Sequence, residues 1–169
     1  RTDARAALAL SPDVRLVVWI GSLVPAKQPL LAVRAISLVA ERCPDVRLVL
    51  IGDGHMLPTV RRTVRELNCE RSVSLLGGLD SAAVATWQAA ADVVLNTSSS
   101  EGLPFALSEA LVSGTRVAAV PVGGIPELLA ATSGGTLAAD SSPEAVADAI
   151  RHELELAPDE DLSRRAEFL

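Results

Sequence analysis

The sequence predicts an α/β fold: a doubly wound parallel sheet with helices on both faces. Three observations carry that expectation. Short runs rich in Val, Ile and Leu alternate with longer amphipathic stretches, the signature of successive strand–helix units. The runs are apolar almost without interruption, as strands covered on both faces must be. Polar or glycine-rich segments follow them at Gly21–Lys27, Gly52–His55, Gly77–Asp80, Asn96–Leu103 and Val122–Ile125. In an open parallel sheet ligands lie outside the carboxyl ends of the strands, where these segments would fall.

Taken in order, the first ten residues carry no periodic signal and read as frayed. Val14–Ile20 (VRLVVWI) stops at Gly21 and reads as the first buried strand. Gln28–Cys43 follows as a helix with Ala32, Ile36, Val39, Ala40 and Cys43 on one face. Val46–Ile51 is a second strand, stopped by Gly52-Asp53-Gly54, and His55–Leu67 a second helix despite Pro58 near its start. Val73–Leu76 is a third strand, and Ser81–Ala90 a helix that Asp80 can N-cap. Asp92–Leu95 reads as the fourth strand. The helix Pro104–Ser113 ends at Gly114, a left-handed stop. Arg116–Val120 is the fifth strand, Ile125–Ala131 a helix with Pro126 in its first turn, and Thr136–Ala138 a sixth strand. Pro143–Leu156 closes the series, capped by Ser142, with Val146, Ile150 and Leu154 on one face. The acidic stretch Pro158–Asp161 reads as frayed.

At 169 residues, 49% of them apolar, the chain fits one domain, which at this size buries roughly 70% of its unfolded surface. Its aromatics are Trp19, Trp87, Phe105 and Phe168, with no tyrosine, too few for a base-stacking platform. A net charge of −6 likewise argues against binding a phosphate backbone, so no nucleic-acid partner is expected. An anionic ligand must therefore be held locally. Cys43 and Cys69 lack metal-ligand spacing, and His55 and His152 do not complete a set; the expectation is two buried free thiols, and no metal. No apolar run approaches the roughly 20 residues that cross a bilayer. The chain opens at Arg1 rather than Met, and reads as a trimmed piece of a longer protein.

Chemistry concentrates in Ser99–Glu109 (SSEGLPFALSE), which sets Glu101 and Glu109 eight positions apart across a loop that opens into a helix. Pro104 suits the first helical position, where its missing N–H costs nothing. The free N–H groups of that turn and the helix dipole favour an anion. Glu101 stays in the loop while Glu109 sits one to two turns inside the helix. An anion cradle flanked by two carboxylates able to grip hydroxyl pairs matches the needs of a sugar nucleotide. Lys27, the only lysine beside fourteen arginines, follows the first strand.

The segments WIGSLVPAK, LVLIGDG, VSLLGGL and AADVVLNTSSSEGLPFALSEALVSGTRVAAVPVGGIPELL, in that order and followed by the last helix, resemble the C-terminal domain of retaining glycosyltransferases with two Rossmann-like halves. These are the group 1 glycosyltransferases of the GT-B fold and E-x7-E type. The resemblance runs from about Val14 to Ile150. It implies a Rossmann-like domain that binds a nucleoside-diphosphate sugar, with transfer of a hexosyl-type group, retention of configuration and no metal or other cofactor. Lys27 would neutralise the departing diphosphate, and Glu101 would lie by the transferred sugar; these are the catalytic candidates. Glu109 would grip the ribose hydroxyls, and the backbone from Gly102 through Leu103 and Pro104 to Phe105 would face sugar and phosphates. Gly102, without a Cβ, would let the chain approach closely. Gly21, Ser22, Gly52, Gly54, Gly78 and Leu79 would complete the pocket. The family often has arginine where this chain has Ser22, and a serine carries no charge for a two-cation clamp. Gly123-Gly124 could offer further N–H groups to phosphate, with Glu127 capping its own helix. Ser98, Ser99 and Ser100 could reach ligand hydroxyls, as loop serines commonly can, and Asp92 reads as a pairing residue.

The resemblance further implies an acceptor-binding half preceding this one and absent from the chain, and a cytoplasmic location, any membrane association coming through that half. The isolated chain is then expected to bind without turning over acceptor. A second reading is a non-catalytic nucleotide-sugar-binding or scaffolding module, to which Ser22 points. A sugar-nucleotide epimerase would need acid–base groups not evident here. A dinucleotide oxidoreductase would need G-x-G-x-x-G where the chain has GSLVPAK.

Overall fold

The computed structural model describes residues 1–102, 104–156 and 162–166. Its elements are α1 (Thr2–Ala7), β1 (Arg15–Ile20), a single 3-10 turn (Pro25–Lys27), α2 (Pro29–Ala40), β2 (Val46–Ile51), α3 (Leu57–Glu66), β3 (Val73–Gly77), α4 (Ser81–Ala90), β4 (Val93–Asn96), α5 (Phe105–Val112), β5 (Arg116–Ala119), α6 (Ile125–Thr132), β6 (Gly135–Leu137), α7 (Pro143–Glu155) and α8 (Leu162–Ala166). The six strands form one parallel sheet in the order β3-β2-β1-β4-β5-β6. The doubly wound sheet expected from the sequence is thus observed. Chain direction across the sheet reverses between β1 and β4, so the loops leaving these two neighbours diverge and open a crevice.

The two faces of the sheet build two cores. Trp19, Leu48, Leu50 and Leu95 point to one side, where α2, α3 and α7 supply Ile36, Val60 and Ile150. Leu16, Val18, Ile51 and Val94 point to the other, covered by Leu107 and Leu111 of α5 and Ile125 and Leu129 of α6. This period-two division is what a strand with apolar residues at every position requires. Helix α2 is buried on more than its sheet-facing side because α7 packs against it.

Several local signals are realised as read. Asp80 accepts the Ala83 N–H at 2.8 Å and Ser142 that of Ala145 at 3.2 Å, capping α4 and α7. Gly114 takes a left-handed φ of 77° after α5. Other expectations need correction. Helix α2 ends at Ala40, three residues short of Cys43, and that cysteine is only half-buried whereas Cys69 is buried. Pro104 precedes α5 as its N-cap rather than opening it. The Pro158–Asp161 stretch lies outside the described residues.

The N-terminus is the largest correction: residues 2–7 are helical rather than frayed. The cause is tertiary. Arg5 donates to the carbonyls of Ser11 (2.9 Å), Val14 (2.6 Å) and Ala90 (3.2 Å) and pairs with Asp92 at 3.3 Å. Asp92 also pairs with Arg1 and accepts the Leu16 N–H at 2.6 Å. It is a pairing residue, as expected. Asp92→Ala strips the acceptor from the wholly buried Leu16 backbone. It should lower stability by about 1–3 kcal/mol in urea unfolding, with faster amide exchange over residues 2–7.

Candidate functional site

The crevice between β1 and β4 is fixed by a buried hydroxyl. Thr97, just beyond β4, has no exposed surface. Its Oγ1 accepts the Trp19 Nε1–H at 2.9 Å and lies 2.9 Å from the Lys27 carbonyl and 3.0 Å from that of Gln28. Its single proton is shared between these two carbonyls. The Ser99 N–H donates to the Ala26 carbonyl at 2.8 Å. The loop after β4 is thereby stitched to the 3-10 turn that carries Lys27.

Lys27 and Glu101, 74 positions apart in sequence, meet there: Lys27 Nζ stands 2.6 Å from Glu101 Oε1. The same oxygen accepts from Ser98 Oγ at 2.6 Å and Asn96 Nδ2 at 3.1 Å. Asn96 is itself held, because its Oδ1 accepts the Ser98 N–H at 2.9 Å. The Glu101 side chain is only 11% exposed, that of Lys27 34%. Burial pushes the Glu101 carboxyl up, but hydrogen bonds from Lys27, Ser98 and Asn96 and the Lys27 charge together outweigh it. The carboxyl therefore titrates below its ordinary range. The pair borders a pocket of about 180 Å³, closed by Ile20 of β1, Asn96 and the turn Pro104–Leu107 that begins α5. The pocket thus joins a cation, an ionised carboxylate and the N-terminal turn of a helix.

Gly123 carries the Glu101 backbone. A Cβ there would stand 1.8 Å from the Glu101 carbonyl oxygen, and its φ is 55°, so only glycine fits. The Gly123-Gly124 pair, which from the sequence could offer further N–H groups to phosphate, packs against the Glu101 loop. At Gly102 nothing lies within 4 Å of the missing Cβ; the protein's own packing does not require glycine at that position. Leu103 lies outside the described residues.

The remaining predicted residues fall into separate groups. Glu109 is exposed and lines a second, larger pocket of about 540 Å³, with Leu79 before α4, Val84 and Gln88 on α4, and Val112 on α5. It does not share the Lys27–Glu101 pocket. Glu109 stands four residues beyond Phe105 on α5, on the same side of the helix and about 6 Å further along it. The two pockets therefore flank one helix face. Gly21, Gly52 and Gly54 pack backbone to backbone: a Cβ on Gly52 would lie 2.0 Å from the Gly21 carbonyl oxygen, and one on Gly54 2.4 Å from that of Leu23. Gly78 donates its N–H to Asp53 at 2.7 Å, tying the β3–α4 loop to the β2–α3 loop. Ser22 is exposed. Glu127 sits in the first turn of α6 without a capping hydrogen bond. Asn96 and Thr97 have no predicted role in the sequence, and the signal they share with Ser98 is a polar tripeptide closing an apolar strand.

Three comparisons bear on this site. The family model described as glycosyl transferases group 1 matches residues 1–167. D-inositol 3-phosphate glycosyltransferase of Mycobacterium bovis is 36% identical over 161 residues, covering 92% of this chain and 33% of the relative. Sucrose-phosphate synthase of Thermosynechococcus elongatus superposes with a TM-score of 0.85 at 26% identity, over the whole chain and 44% of that structure. Anabaena Alr3699/HepE, solved with UDP-glucose, superposes with a TM-score of 0.80 at 24% identity, over 98% of this chain and 45% of that one. The chain spans about a third of the length of the curated relatives it matches.

Two outcomes follow from the geometry. Thr97→Val removes the acceptor of a buried indole N–H and should cost about 1–3 kcal/mol in urea unfolding. Because the folded Glu101 carboxyl is held low, its stabilisation is present above the ordinary glutamate pKa. It is lost as the pH falls through the depressed folded value. Glu101→Gln should therefore lose less stability than the wild type between neutral and acidic pH, measured as urea midpoints across a pH series.

Proposed function

The chain belongs to the glycosyl transferases group 1 family, and on that premise we propose that it is the donor-binding part of a retaining glycosyltransferase. The observation that carries this reading is the Lys27–Glu101 pair at the start of α5, in the crevice where the sheet reverses. The donor is a nucleoside-diphosphate sugar, as in the UDP-glucose complex of the Anabaena protein. Its diphosphate lies against the N-terminal turn of α5, with the Lys27 ammonium taking up charge as the leaving group departs. The hexosyl group sits beside Glu101, whose carboxylate bonds its hydroxyls and stabilises positive charge at the anomeric carbon. Glu109 accepts both ribose hydroxyls at the mouth of the second pocket, and the Gly78-Leu79 loop borders the base.

Nothing in this scheme calls for a metal or a cofactor. Neither carboxylate is assigned as a covalent nucleophile. The acceptor is bound by a part of the protein outside this chain, so the chain alone binds the sugar nucleotide without transferring it. That other part and the sugar nucleotide are its partners, and the reading keeps the whole enzyme cytoplasmic.

The exposed Ser22, where an arginine would add a second cation, favours one competing reading: a nucleotide-sugar-binding or scaffolding module without activity. Calorimetry with UDP, UDP-glucose, GDP and ADP separates the donor site from a scaffold that binds no nucleotide. Lys27→Ala and Glu109→Ala should each weaken the best of these ligands about ten- to a hundredfold, the worth of a charge-assisted hydrogen bond. Absence of binding by all four would leave the scaffold.

A further inference from the structure

Glu101 Oε1 carries three donors, the Lys27 ammonium, the Ser98 hydroxyl and the Asn96 amide, although a carboxylate oxygen has two lone pairs. One donor is in excess. The neutral pair is the fixed one: Ser98 is 2% exposed, and Asn96 ends β4 with its own carbonyl oxygen held by the Ser98 N–H. Lys27 hangs on a flexible four-carbon stem and is one-third exposed. Among the described residues Lys27 is the charged side chain against Glu101, while Gly123 meets it with backbone alone. Glu101 Oε2 takes no hydrogen bond from any described residue.

We propose that Asn96 and Ser98 are positioning residues that hold the Glu101 carboxylate in place without Lys27, so that the ammonium is free to leave for an incoming anion. With Lys27 gone, two donors match two lone pairs. The carboxylate keeps its orientation, and Oε2 accepts a ligand hydroxyl. The identity of that anion as a nucleoside diphosphate rests on the reading under Proposed function; the holding of Glu101 does not.

The decisive experiment needs no ligand. The Glu101 carboxyl carbon is followed by NMR through a pH titration in the wild type, in Lys27→Met, and in Lys27→Met combined with Asn96→Ala and Ser98→Ala. Lys27→Met is expected to leave a single ordered resonance. Removing the two neutral donors as well should move its midpoint up by about one pH unit. Ser98→Ala in the Lys27→Met background, a smaller lesion, should give part of that shift, and Ser98→Thr should restore it. If Lys27→Met alone produces the whole shift and the further substitutions add nothing, Lys27 is the anchor and the proposal falls. A second arm uses calorimetry: Asn96→Ala with Ser98→Ala should lose about tenfold more affinity for UDP-glucose than for UDP. Equal losses would overturn the assignment to the sugar side. A wild-type chain that binds neither nucleotide sinks the transferase reading and leaves the titration to decide this one.

Discussion

The Thr97 hydroxyl is the point on which the crevice depends. It accepts from an indole of β1 and faces two carbonyls of the turn that follows β1, while belonging to the loop after β4. Two strands adjacent in the sheet but 70 or more positions apart in sequence are thereby locked at their carboxyl ends. In a dry environment such a bond is strong, and leaving any member unpaired is costly. Extended backbone alternates its side chains. With Thr97 turned into the core, its flanking residues Asn96 and Ser98 face Glu101. One tripeptide thus sets the place of the Lys27 backbone with its middle side chain and of the Glu101 carboxylate with the outer two.

The loops around the crevice are held by contact of main chain on main chain. Gly52 lies on the Gly21 carbonyl, Gly54 on that of Leu23 and Gly123 on that of Glu101. Such contacts leave no space for a side chain and few rotamers to rearrange, so the walls of the crevice are set by the backbone rather than by adjustable packing. Asp53 adds one polar tie, to the Gly78 amide. The charged pair is therefore presented by a frame of backbone contacts, from which the long Lys27 stem extends.

Much of this was legible in the sequence. Strands buried on both faces leave unbroken apolar runs, and the bounds of β1, β2 and β5 are recovered within a residue. Lys27 and Glu101 were legible one by one, through the resemblance, but their direct contact was not, because it depends on β1 and β4 being neighbours in the sheet. Helix α1 was not legible: it buries no residue and owes its order to Arg5 and Asp92, 87 positions apart. The packing of Gly123 was not legible, because a turn glycine and a glycine pressed against a carbonyl look the same in one dimension. That Glu109 lines a second pocket was not legible, since spacing along a helix does not show that one face can border two hollows. The roles of Asn96, Thr97 and Ser98 were not legible because polar residues after a strand are ordinary until their partners are known.

Phe105 opens α5 with 70% of its surface in water, at the rim of the Lys27–Glu101 pocket. A ring so placed gives the fold little of the roughly 1.5–3 kcal/mol that burial would bring. The fold of this chain therefore depends on the Phe105 ring far less than on Leu107 two residues later, which is buried. The shape of the rim can thus be altered by one side chain while the scaffold beneath stays unchanged.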